Sequence, residues 1–508
     1  NHNMERDTME EFLPFPYYFT NSFKKITPIN GFDSTNLDNA RQNSYAWSMA
    51  EMDDYLYVGT SRNIVYSVLA SGLLGDITPP PEFTPKQLDM AGEIWRYKKD
   101  GSSQWERVYK APPGSGIVGF RFMLPYTTPL GERALYAGCA VAGGNNVVIL
   151  KSTDGQNWKP LRSGVAIGGS TRAMTVHQGR LYMTVLPGDE TLVTETRLYV
   201  STDPEKNDWQ PVNLAGNNAK NPRGNGMILF SYNDHLYLGT ALPGGFELWR
   251  TRGTLPETDN WKLVVDKGAG DGLNEVPLSV GFYKDYIYLG TALYFGFYSL
   301  NPEKRFVPPK GFDVIRINRN DEWELVIGGP PVLPTEPTTG RRGLPLSGLP
   351  SGFGNIFNGY CWQIQVQNNE LYLGTFDWSV LIPPIAPLLI QFLKKRTRYN
   401  LDNYLANLTG FLRNISFSDP VLTRLAEERV WEGILEYLGR KTFGFDLWRS
   451  RDGIRWSPVS INGLGNPENY GARNLFLSSS GDLYLGTANP FNGCEVWVKK
   501  ANKKPWLR

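Results

Sequence analysis

Side chains that could do metal or imidazole chemistry are scarce in this sequence. Only three histidines occur, His2, His177 and His235, so a four-histidine metal centre is excluded. No spacing supports a two-histidine site from His177 and His235, and a catalytic triad that depends on histidine is equally disfavoured. Three cysteines in 508 residues exclude a disulfide scaffold. We therefore expect no metal ion and no cofactor.

Arginine and aromatic residues are better candidates, because they recur at a fixed distance before a repeated phrase that contains tyrosine. Ten residues before that tyrosine stand Trp47, Arg172, Met227, Leu278, Trp362 and Asn474. Two residues earlier stand Tyr45, Ser170, Asn225, Val276, Tyr360 and Ala472, and nearby are Arg121, Arg223, Tyr470 and Arg473. Arginine can bind an anion or stabilise a leaving group, and tyrosine can donate a hydrogen bond. The alternative is structural: the aromatic rings fill space and the arginines pair with nearby acids.

Carboxylates divide into a repeated set and two exceptions. One acid recurs at the same place in five repeats, which favours a structural role: Glu93, Glu247, Asp313, Asp446 and Glu495. Glu275 and Asp377 break the pattern and are better candidates for special roles. The predicted catalytic residues are therefore Arg172, Tyr470, Arg473 and Glu275. The predicted ligand-binding residues are Tyr45, Trp47, Arg121, Arg223, Asn225, Tyr360, Trp362 and Asp377.

The elements that position these residues follow from the repeat itself. A phrase of the type Leu-Tyr-x-Gly-Thr occurs seven times, with tyrosines at Tyr57, Tyr136, Tyr182, Tyr237, Tyr288, Tyr372 and Tyr484. Each copy has the alternation of a strand, and another apolar strand precedes it. A phrase such as Glu247-Leu-Trp249 follows in most copies, and then an Asp-Gly turn before a tryptophan, which is typical of a hairpin.

Four antiparallel strands repeated seven times predict an all-β, seven-bladed β-propeller forming a single domain. The last repeat has three strands, and residues 22–30 resemble its missing fourth strand, so we expect an N-terminal strand to close the ring. The predicted blades are 45–112, 117–164, 170–216, 224–272, 274–329, 358–463, and 469–500 with 22–30.

Insertions lie mostly between the first and second phrases, at residues 62–91, 294–311 and 378–443, and the connection 328–358 is also long. All of these emerge on one face of a propeller, and long loops on a rigid scaffold are where function concentrates. Apolar spacing predicts that 378–443, in blade 6, is a helical insertion. It is a structural cap, a lid over an apolar pocket or, least favoured, a membrane-surface contact. The aromatic stretch 12–19 is expected to drape over the ring.

The composition limits the classes of partner that we expect this protein to bind. The chain is 41% hydrophobic and 20% charged with a net charge of +2, which gives no electrostatic reason to expect nucleic acid. No targeting segment is visible, and the longest uncharged apolar run, 378–393, is short and contains three prolines. These observations predict a soluble protein, with the cytoplasm favoured.

Two resemblances are carried by motifs. Ser152-Thr-Asp-Gly-Gln-Asn-Trp158 and Ser450-Arg-Asp-Gly-Ile-Arg-Trp456 resemble the Asp-box of sialidase-like propellers, although each is about one residue shorter and no Phe-Arg-Ile-Pro motif occurs. Gly239-Thr240 followed by Gly245-Phe-Glu-Leu-Trp249 resembles the propeller domains of cyanobacterial alkylating enzymes of cylindrocyclophane and bartoloside type. Those enzymes couple a secondary alkyl chloride to a resorcinol or a carboxylate. The Gly-Asp repeats of their calcium-binding domain are absent from this chain.

Two hypotheses of function follow. The first is a protein that binds a largely apolar small molecule on the elaborated face, including an enzyme of lipid or specialised metabolism that forms an alkylation-type bond at the Arg/Tyr rim. The second is a non-catalytic propeller that binds a protein partner or a glycan on the same face. Buried, convergent polar groups favour the first, and a flat exposed apolar patch favours the second.

Overall fold

The computed structural model describes residues 22–71, 78–142, 146–167, 170–186, 196–206, 209–214, 219–293, 310–385 and 442–502. Strands dominate these residues. Two short α-helices also occur, α1 (Leu37–Gln42) and α2 (Ile64–Ala70). Single 3-10 turns lie at Pro81–Phe83, Pro204–Lys206, Lys267–Gly270, Ser351–Gly354 and Trp378–Leu381.

Consecutive strands pair antiparallel in groups of four, and the described residues contain seven such groups, here termed blades 1 to 7. Blade 1 comprises β2 (Asn43–Met52), β3 (Tyr55–Arg62), β4 (Glu93–Lys98) and β5 (Glu106–Lys110). Blade 2 comprises β6 (Ile117–Thr127), β7 (Arg133–Val141), β8 (Asn146–Ser152) and β9 (Lys159–Ile167). Blade 3 comprises β10 (Ser170–His177), β11 (Arg180–Leu186), β12 (Leu198–Ser201) and β13 (Gln210–Pro211). Blades 4 and 5 comprise β14 (Asn225–Tyr232), β15 (His235–Ala241), β16 (Glu247–Thr251), β17 (Trp261–Val265); and β18 (Val276–Tyr283), β19 (Tyr286–Ala292), β20 (Val314–Ile317), β21 (Trp323–Ile327). Blades 6 and 7 comprise β22 (Asn358–Gln367), β23 (Glu370–Asp377), β24 (Leu447–Ser450), β25 (Trp456–Ser460); and β26 (Gly471–Leu477), β27 (Leu483–Ala488), β28 (Val496–Lys499), β1 (Lys24–Lys25).

The blades form a closed ring. The first strand of each blade packs against the first strand of the next, and β26 of blade 7 packs against β2 of blade 1. Backbone pairs such as Tyr45 with Ala488 join the start of an inner strand to the second strand of the preceding blade. In blade 7, Lys24 and Lys25 of β1 pair with β28, so the N-terminal strand completes the sheet as the sequence predicts. The prediction of an all-β propeller is confirmed.

The glycine of the repeated phrase lets adjacent blades approach closely. A Cβ on Gly59 of blade 1 would lie 2.8 Å from the Cβ of Phe120 in blade 2. A Cβ on Gly290 of blade 5 would lie 2.2 Å from Sγ of Cys361 in blade 6. Both distances are below van der Waals contact, so a larger residue here would push the blades apart. The interblade packing therefore explains why this position of the phrase is glycine.

The threonine and the acid of the repeat lock the start of the third strand. In blade 1 the Thr60 hydroxyl donates to the carbonyl of Glu93 at 3.1 Å and accepts from its N–H at 3.1 Å. The Glu93 carboxylate accepts from the indole of Trp95 and from the amide of Asn43, which begins the inner strand. Burial raises the pKa of Glu93, but Arg62 and these donors outweigh it and lower the pKa to about 2. The recurring acid is thus structural in this blade, as predicted.

The Asp-box-like turns join neighbouring blades. Asp154 of blade 2 accepts backbone hydrogen bonds from two residues of its own turn, at 2.8 and 2.7 Å. Gly155 has φ +76°, and a Cβ on it would lie 1.8 Å from the hydroxyl of Tyr57 in blade 1. Gly453 of blade 6 has the same relation to Tyr288 of blade 5, at 2.0 Å. Each of these two Asp-box-like turns therefore packs against the preceding blade.

Several predicted segments fall on residues outside the described part. In the insertion 62–91 the structure shows α2 and the turn Pro81–Phe83. The insertion 378–443 is described only up to residue 385 and from residue 442, so its helices stay a prediction. Most of 294–311 and the aromatic stretch 12–19 also lie outside the described residues.

Candidate functional site

A β-bulge interrupts every inner strand at the same level, and it defines the site. In each blade one residue opposite the repeated phrase has no pairing partner: Trp47, Arg121, Arg172, Met227, Leu278, Trp362 and Arg473. A bulge redirects the side chain of the extra residue, and bulges are common beside functional sites. These seven residues are termed the bulge ring.

The bulge ring corrects the sequence alignment at two blades. The count from the phrase tyrosine placed Asn474 in the rim, but Asn474 pairs with Gly486 and the bulged residue is Arg473. The hairpin of blade 7 is one residue longer than that of blade 1, which shifts the count by one. The hairpin of blade 2 is five residues longer, so the count missed that Arg121 is the equivalent of Trp47.

The bulge ring faces the central axis. Arg473 of blade 7 is influenced by the charges of Arg121 in blade 2 and Arg172 in blade 3, although neither blade adjoins blade 7. Tyr45 of blade 1 packs edge-on against Trp362 of blade 6, with ring centroids 5.6 Å apart, across the width of blade 7. Contacts between blades that are not neighbours can occur only across the axis. The three arginines therefore converge in the channel.

Arg473 is a buried cation without an acceptor among the described residues. Its side chain is 9% exposed, and its Nε is buried without a hydrogen-bond partner in the described structure. Its guanidinium lies 5.5 Å from the ring centroid of Trp362, a cation–π contact. Burial, followed by repulsion from Arg121 and Arg172, lowers the pKa of Arg473 to about 9. A buried charge of this kind is costly unless something pairs with it.

Two tyrosines bring a further donor to the same place. The hydroxyls of Tyr45 and Tyr470 are hydrogen-bonded to each other, and the side chains are 7% and 1% exposed. Burial raises the pKa of Tyr45 to about 12 and that of Tyr470 well above its ordinary value, so both keep their protons at neutral pH. Two phenols carry two protons, and the bond between them uses one. The other O–H has no acceptor in the described structure.

The remaining arginines line the more open part of the channel. Arg121 lies with its guanidinium 4.5 Å from the ring centroid of Trp47 and donates to the Ser170 hydroxyl at 2.9 Å. Arg121 and Arg172 are half-buried, which leaves them reachable from the channel. Three guanidinium groups thus lie on this side of the axis, and a cluster of cations is complementary to an anion.

The side of the ring formed by blades 4 and 5 is aliphatic. Met227 and Leu278 are its bulge residues, and Met227 is buried while Leu278 is half-buried. They pack with a small group of apolar residues from the ends of neighbouring strands: Leu186, Ala241, Val276 and Ala292. The channel is therefore polar on one side and apolar on the other.

Loops from the elaborated face cover the aromatic side of the channel. Residues of the loops after the second strands of blades 1, 6 and 7 pack on Tyr45, Trp47, Trp362 and Tyr470: Ile64, Trp378, Val380, Leu381, Phe443 and Phe491. Phe83 and Phe491 join two of these loops, with ring centroids 5.0 Å apart. The elaborated face thus supplies an apolar cover for the axial site.

Other predicted site residues are held by structural contacts or lie at the strand starts. Arg223 pairs with Glu247 at 2.9 Å within blade 4 and is half exposed. Asp377 is fully buried and caps the turn after β23, accepting from the N–H of Ser379 at 3.0 Å. Asn225 and Glu275 are fully buried at the starts of β14 and β18. Tyr360 joins the aromatic side of the channel and packs edge-on against Trp362. The sequence analysis did not single out Phe376. This residue directly follows the repeated phrase in β23 and packs edge-on against Tyr470.

The described residues show neither a cluster of metal ligands nor a helix that could span a membrane. They contain no group of three or more His, Cys, Asp or Glu side chains placed to hold a metal ion. No helix in this part of the chain is long and apolar enough to cross a membrane. The three cysteines are buried, and burial raises the pKa of the Cys361 thiol to about 12.

Among known proteins, the chain shows distant similarity to solved structures. No family model and no curated protein sequence matches the chain. Among solved structures it is similar to the GH74 xyloglucanase from Xanthomonas campestris, at 12% identity and a TM-score of 0.46, over 96% of this chain and 55% of that one. It is also similar to a catalytically inactive virginiamycin B lyase from Staphylococcus aureus with quinupristin, at 9% identity and a TM-score of 0.42, over 94% and 98% of the two chains. The phage phi92 endosialidase follows at 10% identity and a TM-score of 0.37, over 70% of this chain and 64% of that one.

The chain spans about half the length of the xyloglucanase. Identities this low concern the fold, so what the axial site binds has to be argued from its own residues.

Proposed function

We propose that the axial channel binds a small molecule through an anionic group seated between Arg473 and the Tyr45–Tyr470 pair, with Arg121 and Arg172 beside it. The observation that carries this proposal is that Arg473 is buried and lacks an acceptor among the described residues. Natural proteins rarely retain an unpaired buried charge without a use for it. An anion supplies the missing acceptor for Arg473, and it also accepts a hydrogen bond from the phenol O–H that has no acceptor in the described structure.

The seat is built to accept negative charge and to exclude cations. Its donors are guanidinium N–H groups and a phenol, and burial raises the pKa of Tyr45 to about 12, so none of these groups carries a negative charge at neutral pH. Its low exposure strengthens each hydrogen bond to a charged partner. We propose that the blades form one seven-bladed ring and that the loops of its elaborated face cover this anion-binding position.

Native mass spectrometry of the purified protein, followed by the same measurement after denaturation, tests the proposal. We expect an acidic small molecule that leaves on unfolding, or, if the protein is purified empty, a higher unfolding temperature in millimolar propionate. Arg473→Met should reduce occupancy or the shift at least tenfold, since truncating a buried charged partner costs a few kcal/mol. Arg316→Met is the matched control, because Arg316 likewise makes a cation–π contact, 4.1 Å from the ring centroid of Tyr286, but pairs with Glu324. Equal effects of both variants would contradict the anion seat.

Tyr470→Phe tests the phenol pair separately. It removes one hydroxyl of the pair, and we expect propionate binding to weaken by about fivefold to tenfold with little change in folding stability. Tyr484→Phe is its control, because the Tyr484 hydroxyl is also buried and has no partner in the described structure. Unchanged binding by the Tyr470 variant would remove the tyrosines from the site.

A catalytic use of the same seat is the second candidate, favoured by the fixed and buried donors. Donors held in place before reaction stabilise negative charge that develops in a transition state. The relevant reaction is the coupling of a secondary alkyl chloride to a carboxylate, as in the alkylating enzymes that the Gly245–Trp249 motif resembles. A carboxylate oxygen would bond to the alkyl carbon while the carbon–chlorine bond breaks. Chloride would leave with the electron pair and bind between Arg473 and the two tyrosines. Ion chromatography of chloride released from a secondary alkyl chloride and octanoate tests this. Release that is equal in the Arg473→Met variant would refute it.

A further inference from the structure

We propose that the axial site selects amphiphilic anions, in which the acidic group lies against the arginines and an aliphatic body lies against the side of the channel formed by blades 4 and 5. This inference rests on the anion seat proposed above and adds the class of ligand. It is argued from how polar and apolar side chains are distributed around the bulge ring.

The bulge ring is two-sided. Arginine occupies the bulge in blades 7, 2 and 3, as Arg473, Arg121 and Arg172. Methionine and leucine occupy it in blades 4 and 5, as Met227 and Leu278. Trp362 of blade 6 lies between the two sides, Trp47 of blade 1 lies within the arginine side, and the arginine of blade 3 adjoins the methionine of blade 4 directly. A ligand that spans the channel therefore meets cations at one end and hydrocarbon at the other.

The apolar side is mainly aliphatic, and Tyr360 also packs against it. Met227 packs with Leu186, Ala241, Val276 and Ala292, and these residues are between 0% and 3% exposed. The aromatic rings of the site are packed mainly against one another and against the covering loops. Aliphatic side chains make a smooth surface without polar atoms, which suits an alkyl body.

The exposure of the bulge-ring side chains indicates where a ligand could bind. Within the bulge ring, Arg121, Arg172 and Leu278 are half-buried, whereas the other four members are buried. The open part of the channel is therefore bounded by guanidinium groups on one side and by leucine on the other. An acid without an alkyl body would leave the leucine side in contact with water, and an alkane without an acid would leave Arg473 without an acceptor among the described residues.

Isothermal titration of the full chain with four probes tests the inference: octanoate, propionate, octanamide and 3-phenylpropionate. We expect octanoate to bind at least tenfold more tightly than propionate, because each buried methylene contributes about fourfold in affinity. Octanamide, which has the chain without the charge, should bind at least tenfold more weakly than octanoate. Leu278→Asn should weaken the binding of octanoate more than that of propionate. Val176→Asn is the control, since Val176 is 37% exposed at the other end of an inner strand.

Each other outcome has a distinct meaning. Equal binding of octanoate and propionate would overturn the amphiphile class and leave the anion seat intact. Equal binding of octanoate and octanamide, or no binding of any acid, would overturn both proposals. Tighter binding of 3-phenylpropionate than of octanoate would show that the body is aromatic and would overturn the aliphatic assignment.

Discussion

Replacing Arg473 with methionine is expected to raise the stability of the ligand-free protein while it abolishes anion binding. Burial and the neighbouring arginines lower the pKa of Arg473 from 12.5 to about 9, which corresponds to about 5 kcal/mol against the charged form. That figure is an upper limit to the gain, because the contact with Trp362 is lost as well. Replacing buried charges with apolar residues typically adds about 1–4 kcal/mol, and we expect a gain in that range.

Chemical denaturation in a buffer of low anion concentration measures the effect. The difference between Arg473→Met and the native chain should be constant between pH 6 and pH 8, because a pKa of about 9 keeps the guanidinium charged in the folded state throughout. Octanoate at about one hundred times its dissociation constant should then stabilise the native chain by about 2.7 kcal/mol and leave the variant unchanged. Arg316→Met should keep the full response to octanoate. A variant that is less stable than the native chain, with an unaltered response to octanoate, would refute the reasoning and make Arg473 a structural residue.

Two further predictions concern the scaffold. Gly155→Ala should destabilise the protein by at least about 3 kcal/mol, because the new Cβ would lie 1.8 Å from the Tyr57 hydroxyl, whereas Gly101→Ala, with a similar φ of +79° and its nearest neighbour at 3.3 Å, should cost about 1 kcal/mol. Equal losses in urea denaturation would mean that backbone strain alone matters. Because the pKa of Glu93 is lowered from 4.5 to about 2, its contribution is complete above pH 4.5 and is lost as the pH falls towards 2. The stability of the native chain should therefore fall by up to about 3 kcal/mol relative to Glu93→Gln between pH 6 and pH 2, and parallel curves would contradict the assignment of this charge.

The repeat made the fold predictable from the sequence, because each residue of the phrase meets a local structural requirement. The glycine permits close contact between blades, as at Gly59, and the threonine binds the backbone of the recurring acid, as Thr60 does with Glu93. Such requirements recur in most blades and therefore leave a periodic signal. The prediction that the N-terminus supplies a strand of the last blade rested on the same signal, and β1 pairs with β28 as expected.

The site was predictable only in part. Counting from the phrase tyrosine found Arg172 but placed Asn474 where Arg473 belongs, because hairpin lengths differ between blades. A bulge has no sequence signature of its own, so the level of the ring could not be derived from spacing. The pairing of Tyr45 with Tyr470 depends on closure between the first and last blades, which lie 425 residues apart. Contacts of that range are set by the whole ring and not by local pattern.

Anomalous diffraction from a crystal of the full chain soaked in sodium bromide tests the anion seat most directly. The account predicts a bromide peak on the axis, at about 3–4 Å from the guanidinium of Arg473 and beside the Tyr45–Tyr470 pair, that disappears in Arg473→Met crystals. Bromide peaks on surface arginines, with none at Arg473, would contradict the central claim.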